Sequence, residues 1–179
     1  MKKDGSSFKK DFIMPILVLS LICLFMTGAL AVANSVTRPV IDAAAKERAY
    51  AARMEVVPGA DDFTVIEADG LPKTVTAIYG ANNGAGYVFM IHTIGYGGDI
   101  YLICGIGSDG RIIKTATLGE TETKGIATPV FDMEPLYIGK DKNLDGIDAV
   151  SGATITSNAY INAIRDAFEA YEIIMGMGL

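Results

Sequence analysis

Apolar positions along the chain fall into three regimes: one unbroken run, then short alternating stretches, then a helical stripe. The run is Phe12–Ala33, FIMPILVLSLICLFMTGALAVA, 22 positions without a charge. At about 1.5 Å per residue a helix of that length spans ~33 Å, enough to cross a hydrocarbon core. Pro15 is expected in its first turn, where a missing N–H costs little. Lys2, Lys3, Lys9 and Lys10 precede the run, partly offset by Asp4 and Asp11. Counting the lysines, the positive-inside rule puts residues 1–11 in the cytoplasm, a single transmembrane helix over 12–33 and the remainder outside, in the cell membrane. A cleaved signal peptide is the alternative, because Ala29, Ala31 and Ala33 supply small residues near a cut. The length of the run and the helical pattern that follows favour a retained anchor.

From Asn34 to Val57, alanines and long charged side chains predict a stalk helix, with Pro39 near its effective start and Pro58-Gly59 as its stop. Alternation then predicts strands at Phe63–Ala68, Thr74–Tyr79, Gly86–Thr93, Asp99–Ile106 and Arg111–Leu118. Gly95-Tyr96-Gly97-Gly98 and Gly107-Ser108-Asp109-Gly110 separate the last three, and Asp-Gly is a hairpin signal. Connections this short force antiparallel neighbours, so residues 58–179 are predicted to form a β-meander. Thr115–Tyr137 is less regular, and residues 139–153 read as a polar loop. Tyr160, Ile161, Ile164, Ala167, Phe168 and Tyr171 give a last helix, over about Thr156–Met175, its apolar face. The fold class is α+β: a transmembrane helix, a stalk helix, an antiparallel meander and a C-terminal helix.

Charge narrows the function. From residue 34 onward there are 11 Lys and Arg against 19 Asp and Glu, a poor balance for neutralising nucleic-acid phosphates. His92 is the only histidine, which excludes a histidine-rich metal site or a triad with two histidines. Cys23 and Cys104 are too few to hold an iron–sulfur cluster by four thiolates and read as small buried hydrophobes. Asp141-Lys142-Asn143-Leu144-Asp145-Gly146 copies half of a calcium loop, but Gly152 stands where the bidentate glutamate belongs, so no metal is expected. His92 reads as structural. Tyr79, Tyr87, Tyr96, Tyr101 and Tyr137 could stack on an aromatic ligand, and none stands out from ordinary strand packing.

The most informative stretch is Asp148-Ala149-Val150-Ser151-Gly152-Ala153-Thr154-Ile155-Thr156-Ser157. Small residues and hydroxyls lead straight into the last helix, whose start offers free N–H groups and partial positive charge to a phosphate. Gly152 and Ala153 permit close approach to the backbone, and Thr154 adds a hydroxyl. Chemistry alone allows phosphate binding or esterification there. It equally allows an ordinary helix start with Thr156 or Ser157 as N-cap.

The run resembles the flavinylation motif Asp-x-x-Ser/Thr-Gly-Ala-Thr of FMN-binding domains, which occur in the G subunit of Rnf complexes and the C subunit of sodium-translocating NADH:quinone reductases. Asp148, Ser151, Gly152, Ala153 and Thr154 match every specified position. The resemblance implies FMN joined to Thr154 by a phosphoester, installed by a flavin transferase using FAD. Upstream, Glu120-Thr121-Glu122-Thr123-Lys124-Gly125-Ile126-Ala127 is similar to the family's His-x-Glu-Thr-Pro-Gly-Leu-Gly. Glu122, Thr123 and Gly125 agree, while Glu120, Lys124 and Ala127 depart. The resemblance implies that Glu122 and Thr123 are polar contacts close to the flavin ring. It further implies an electron-carrying subunit with no catalytic side chains of its own, assembled with the other Rnf subunits and held to lipid by residues 12–33. The shorter domain resembles the Rnf G subunit more than the quinone-reductase C subunit. A membrane-tethered binding domain without redox chemistry is the rival class.

Overall fold

A computed structural model describes residues 5–177; Lys2, Lys3 and Asp4, on which part of the orientation argument rests, lie outside the described residues. The chain divides into two compact units, residues 1–48 and 49–179. Helix α1 covers Gly5–Val56. Its most apolar 18-residue window has a mean hydropathy of 2.6, so this helix is long and apolar enough to cross a membrane. Leu17, Leu21, Leu24 and Phe25 all face outward from it. Both prolines depart from their expected places. Pro15 lies well inside the helix and not in its first turn, and Pro39 does not begin a new helix. Each proline forfeits one backbone hydrogen bond, which a helix of this length absorbs among many others.

The second unit is built on a five-stranded antiparallel sheet in the order β1-β2-β3-β4-β5, the predicted meander. The strands are β1 Phe63–Ile66, β2 Val75–Ala81, β3 Gly86–Ile94, β4 Asp99–Gly107 and β5 Ile112–Glu120. The Asp109-Gly110 turn closes β4 onto β5: Arg111 N–H donates to Asp109 Oδ1 and Gly110 N–H to the Gly107 carbonyl. Alternation along β3 and β4 sends Phe89, Ile91, Ile100, Leu102, Cys104 and Ile106 to one face and Val88 and Ile103 to the other. Helix α3, Thr154–Gly176, covers the first face with Tyr160, Ile161, Ile164, Ala167, Phe168 and Ile174. The second face receives Val56, Val57 and Ala60 beside Val88 and Ile103, with the Arg53 guanidinium 4.3 Å from the centre of the Tyr79 ring.

Both faces of the sheet are therefore apolar at its centre. The region expected to be irregular, 115–137, is more ordered than its glycines and proline predict. β5 runs on to Glu120, and Thr128–Phe131 form a short helix α2. A 3₁₀ turn follows at Glu134–Tyr137. Proline at the start of each turn suits a position whose N–H has no helical partner.

Candidate functional site

A single pocket of about 410 Å³ gathers residues from three separate segments of the chain. The tip of the β3–β4 hairpin contributes Tyr96, the loop after β5 contributes Glu122, Thr123 and Ile126, and the start of α3 contributes Gly152 to Thr156. The volume falls within the range of small-ligand sites, and the lining mixes apolar walls with few polar groups.

The α3 start differs from the plain capped helix that the residues also allowed. Helix begins at Thr154, with Ala153 in the capping position and no side chain bonded to the first turn. Thr156 and Ser157 are not N-caps; both lie inside the first turn and are buried. The Thr156 hydroxyl donates to Glu122 Oε1 at 3.1 Å, and the Ser157 hydroxyl donates to the Ala153 carbonyl at 2.9 Å. Ser157 Oγ also accepts the Val150 N–H at 3.0 Å, pinning the loop that leads in. Two hydroxyls that could have capped the helix are thus committed elsewhere. The first-turn amides remain available to an anion beside Thr154, which is exposed. Gly152, at a φ of +86°, makes the turn into this start.

Glu122 is the other centre of the site, and only 8% of its surface is exposed. Its Oε2 accepts the Gly97 N–H at 2.8 Å, while its own N–H donates to Glu120 Oε2 at 2.5 Å. A run of Glu-Thr-Glu-Thr-Lys reads as a solvated turn, yet its middle glutamate is folded under the hairpin tip. Thr123, by contrast, is exposed at the mouth. Gly125 turns the chain at a φ of +87° and donates its N–H to Thr128 Oγ1, outside the pocket lining.

Asp148 and Ser151 are exposed and do not line the pocket either. His92 bonds Asp99 Oδ1 at 2.8 Å and stacks on Tyr101 with ring centres 4.7 Å apart. It fastens the hairpin below the tip. In the half-copied calcium loop, the Asp145 carbonyl accepts from Lys140 Nζ, and Asp141 Oδ1 accepts the Asn143 N–H. Sequence reasoning gave Ile126 and Ile155 no role, named Tyr96 only as one of five tyrosines that could stack on a ligand, and offered Thr156 only as an N-cap. Three glycines around Tyr96, more than a hairpin turn needs, were the available signal.

Comparison with known proteins reads the same region. Residues 95–169 match the FMN-binding domain family. The match begins at Gly95 in the hairpin tip and ends within α3, so it encloses every pocket residue. This bears out the resemblance carried by residues 148–154. Beyond the FMN-binding domain, similarity extends over most of the chain. The G subunit of the Na⁺-translocating ferredoxin:NAD⁺ oxidoreductase complex of Acetobacterium woodii is 28% identical over 185 residues, covering 87% of this chain and 89% of that one. The G subunit of the ion-translocating oxidoreductase complex of Methanosarcina acetivorans is 28% identical over 180 residues, covering 91% and 96%. The G subunit of the proton-translocating ferredoxin:NAD⁺ oxidoreductase complex of Clostridium ljungdahlii is 29% identical over 133 residues, covering 68% and 70%.

The pocket fits an FMN group on its own terms. A flat aromatic ring suits the space between Tyr96, Ile126 and Ile155, and a phosphate suits the uncapped start of α3.

Proposed function

We propose that this chain is the electron-carrying G subunit of an Rnf-type ion-translocating ferredoxin:NAD oxidoreductase, with FMN esterified to Thr154. When bound, FMN supplies the electron chemistry; the protein holds it and sets its surroundings. Thr154 holds the phosphate end through its hydroxyl oxygen, and the first-turn amides of α3 balance the remaining phosphate charge. Tyr96, Ile126 and Ile155 receive the ring and keep water from one side of it. Asp148 and Ser151, exposed and outside the pocket, serve the transferase that makes the ester, while Gly152 and Ala153 keep the approach open. In that step the Thr154 oxygen would bond to the flavin-side phosphorus of FAD, the phosphoanhydride P–O bond would break, and AMP would leave, with the hydroxyl proton passing to solvent.

In this reading residues 1–11 lie in the cytoplasm, 12–33 cross the membrane, 34–57 form the stalk and 58–179 carry FMN outside. Its partners are the other Rnf subunits, the flavin transferase and the surrounding lipid. The chain turns nothing over alone. The observation that carries the reading is that Thr154, exposed and at an uncapped helix start, lines the same pocket as Glu122 and Thr123.

The test is intact mass of the full chain made together with a flavin transferase. The wild type gains the mass of an FMN ester and fluoresces in a denaturing gel, and Thr154→Val loses both. Flavin that survives the substitution, or a wild type of unmodified mass, rejects the assignment.

A further inference from the structure

A carboxylate taken out of water is unfavourable unless hydrogen bonds answer its charge. Glu122 is buried and each of its oxygens is answered, by groups from two different elements. Oε2 accepts the Gly97 N–H from the hairpin tip, and Oε1 accepts the Thr156 hydroxyl from the first turn of α3. Thr156 Oγ1 in turn accepts the Tyr96 N–H at 3.4 Å, a second tie between the same two elements. Room has been kept for the carboxylate. A Cβ on Gly95 would lie 1.8 Å from Glu122 Oε1, and one on Gly97 would lie 2.8 Å from Oε2. Neither glycine has a positive φ, so these positions lack a side chain for space and not for backbone conformation.

Resting on the FMN reading above, we infer that Glu122 is a positioning residue that braces the Tyr96 tip against the Thr154 turn. Both of its oxygens already bind protein groups, which gives Glu122 a bracing role beside the flavin contact that the motif implies. The brace fixes the backbone on both sides of Tyr96 while the side chain stays 71% exposed over the pocket. An unbraced tip leaves the ring without its aromatic wall.

The experiment uses the full chain, made with a flavin transferase, as wild type, Glu122→Ala, Glu122→Gln, Gly95→Ala and the Gly95→Ala/Glu122→Ala double variant. Hydrogen exchange at residues 95–98 reads the brace, and fluorescence anisotropy of the attached flavin reads the ring's mobility. Loss of a hydrogen bond to a charged group speeds exchange of the Gly97 amide by about tenfold or more in Glu122→Ala. Anisotropy falls in the same variant. Glu122→Gln keeps an acceptor for Gly97 and stays near wild type in both. Gly95→Ala expels the carboxylate and reproduces Glu122→Ala, and the double variant is no worse than either single one. Unchanged exchange in Glu122→Ala, a Gln variant that behaves like Ala, or additive losses in the double variant would each overturn the brace. Should Glu122→Ala fail to accumulate, Gly95→Ala against Glu122→Gln makes the same comparison. Exchange is measurable without flavin, so a wild type lacking FMN counts against the cofactor reading alone.

Discussion

Gly152 holds a left-handed φ of +86°, and a Cβ placed there would meet nothing within 4 Å. The cost of Gly152→Ala is therefore backbone conformation alone, about 1–2 kcal/mol of unfolding free energy. Urea denaturation checks it, and an unchanged midpoint would mean that the turn relaxes freely. Glu134 poses a different residue-scale question. Burial raises its carboxyl above the ordinary carboxylate range, against the opposing pull of hydrogen bonds from Thr117 and Tyr160. The folded state then holds this proton more tightly than the unfolded state. Its contribution to stability is full below the unfolded carboxylate range and is lost as pH rises through the raised folded value. Glu134→Gln removes that loss while keeping acceptors for the Thr117 hydroxyl, 2.7 Å away, and the Tyr160 hydroxyl, 3.4 Å away. The variant's stability should fall less than the wild type's between mildly acidic and neutral pH, measured by melting temperature across that range. Parallel pH curves for the two proteins would contradict this.

At the scale of elements, what was legible in the sequence was what local physics decides. Alternation located five strands to within a few residues, and Asp109-Gly110 placed a turn where the structure has one. The stripe from Tyr160 to Phe168 gave the buried side of α3. Ile164→Ala, at a fully buried position of that side, should cost about 2–5 kcal/mol. Asn158→Ala, at an exposed position of the same helix, should stay within about 0.5 kcal/mol. Chemical denaturation of both checks the contrast, and equal losses would undo the packing assignment. Long-range decisions were not legible. Whether Thr156 caps α3 or faces inward depends on a glutamate 34 positions away, and the burial of that glutamate depends on glycines in another hairpin. The irregular pairings at Val75/Ala77, Tyr101/Leu102 and Gly105/Ile106 were equally hidden, since a bulge adds one residue without changing composition. The motif at 148–154 marked the start of α3, but not that Tyr96 and Ile126 would meet it there.

For the whole molecule, the two units carry different surfaces. The first unit presents large apolar side chains to its surroundings at Leu24, Phe25 and Leu30, whereas the second encloses an apolar core between sheet and helix. An exposed apolar surface of that extent is the property of a chain that meets lipid or another apolar surface. Deleting residues 1–48 should move the protein from the membrane pellet to the soluble fraction in a sedimentation assay without detergent. A truncated protein that still sediments with membranes would place the attachment elsewhere.

The meander has a consequence for the order of assembly. Each strand hydrogen-bonds to the one made just before it, so the sheet can grow in the sequence in which the ribosome delivers it. The threonine at the head of α3 belongs to an element delivered after the whole sheet, and its surroundings include a hairpin completed some fifty residues earlier. Any enzyme that recognises that threonine in its finished setting acts on chains whose sheet is already formed.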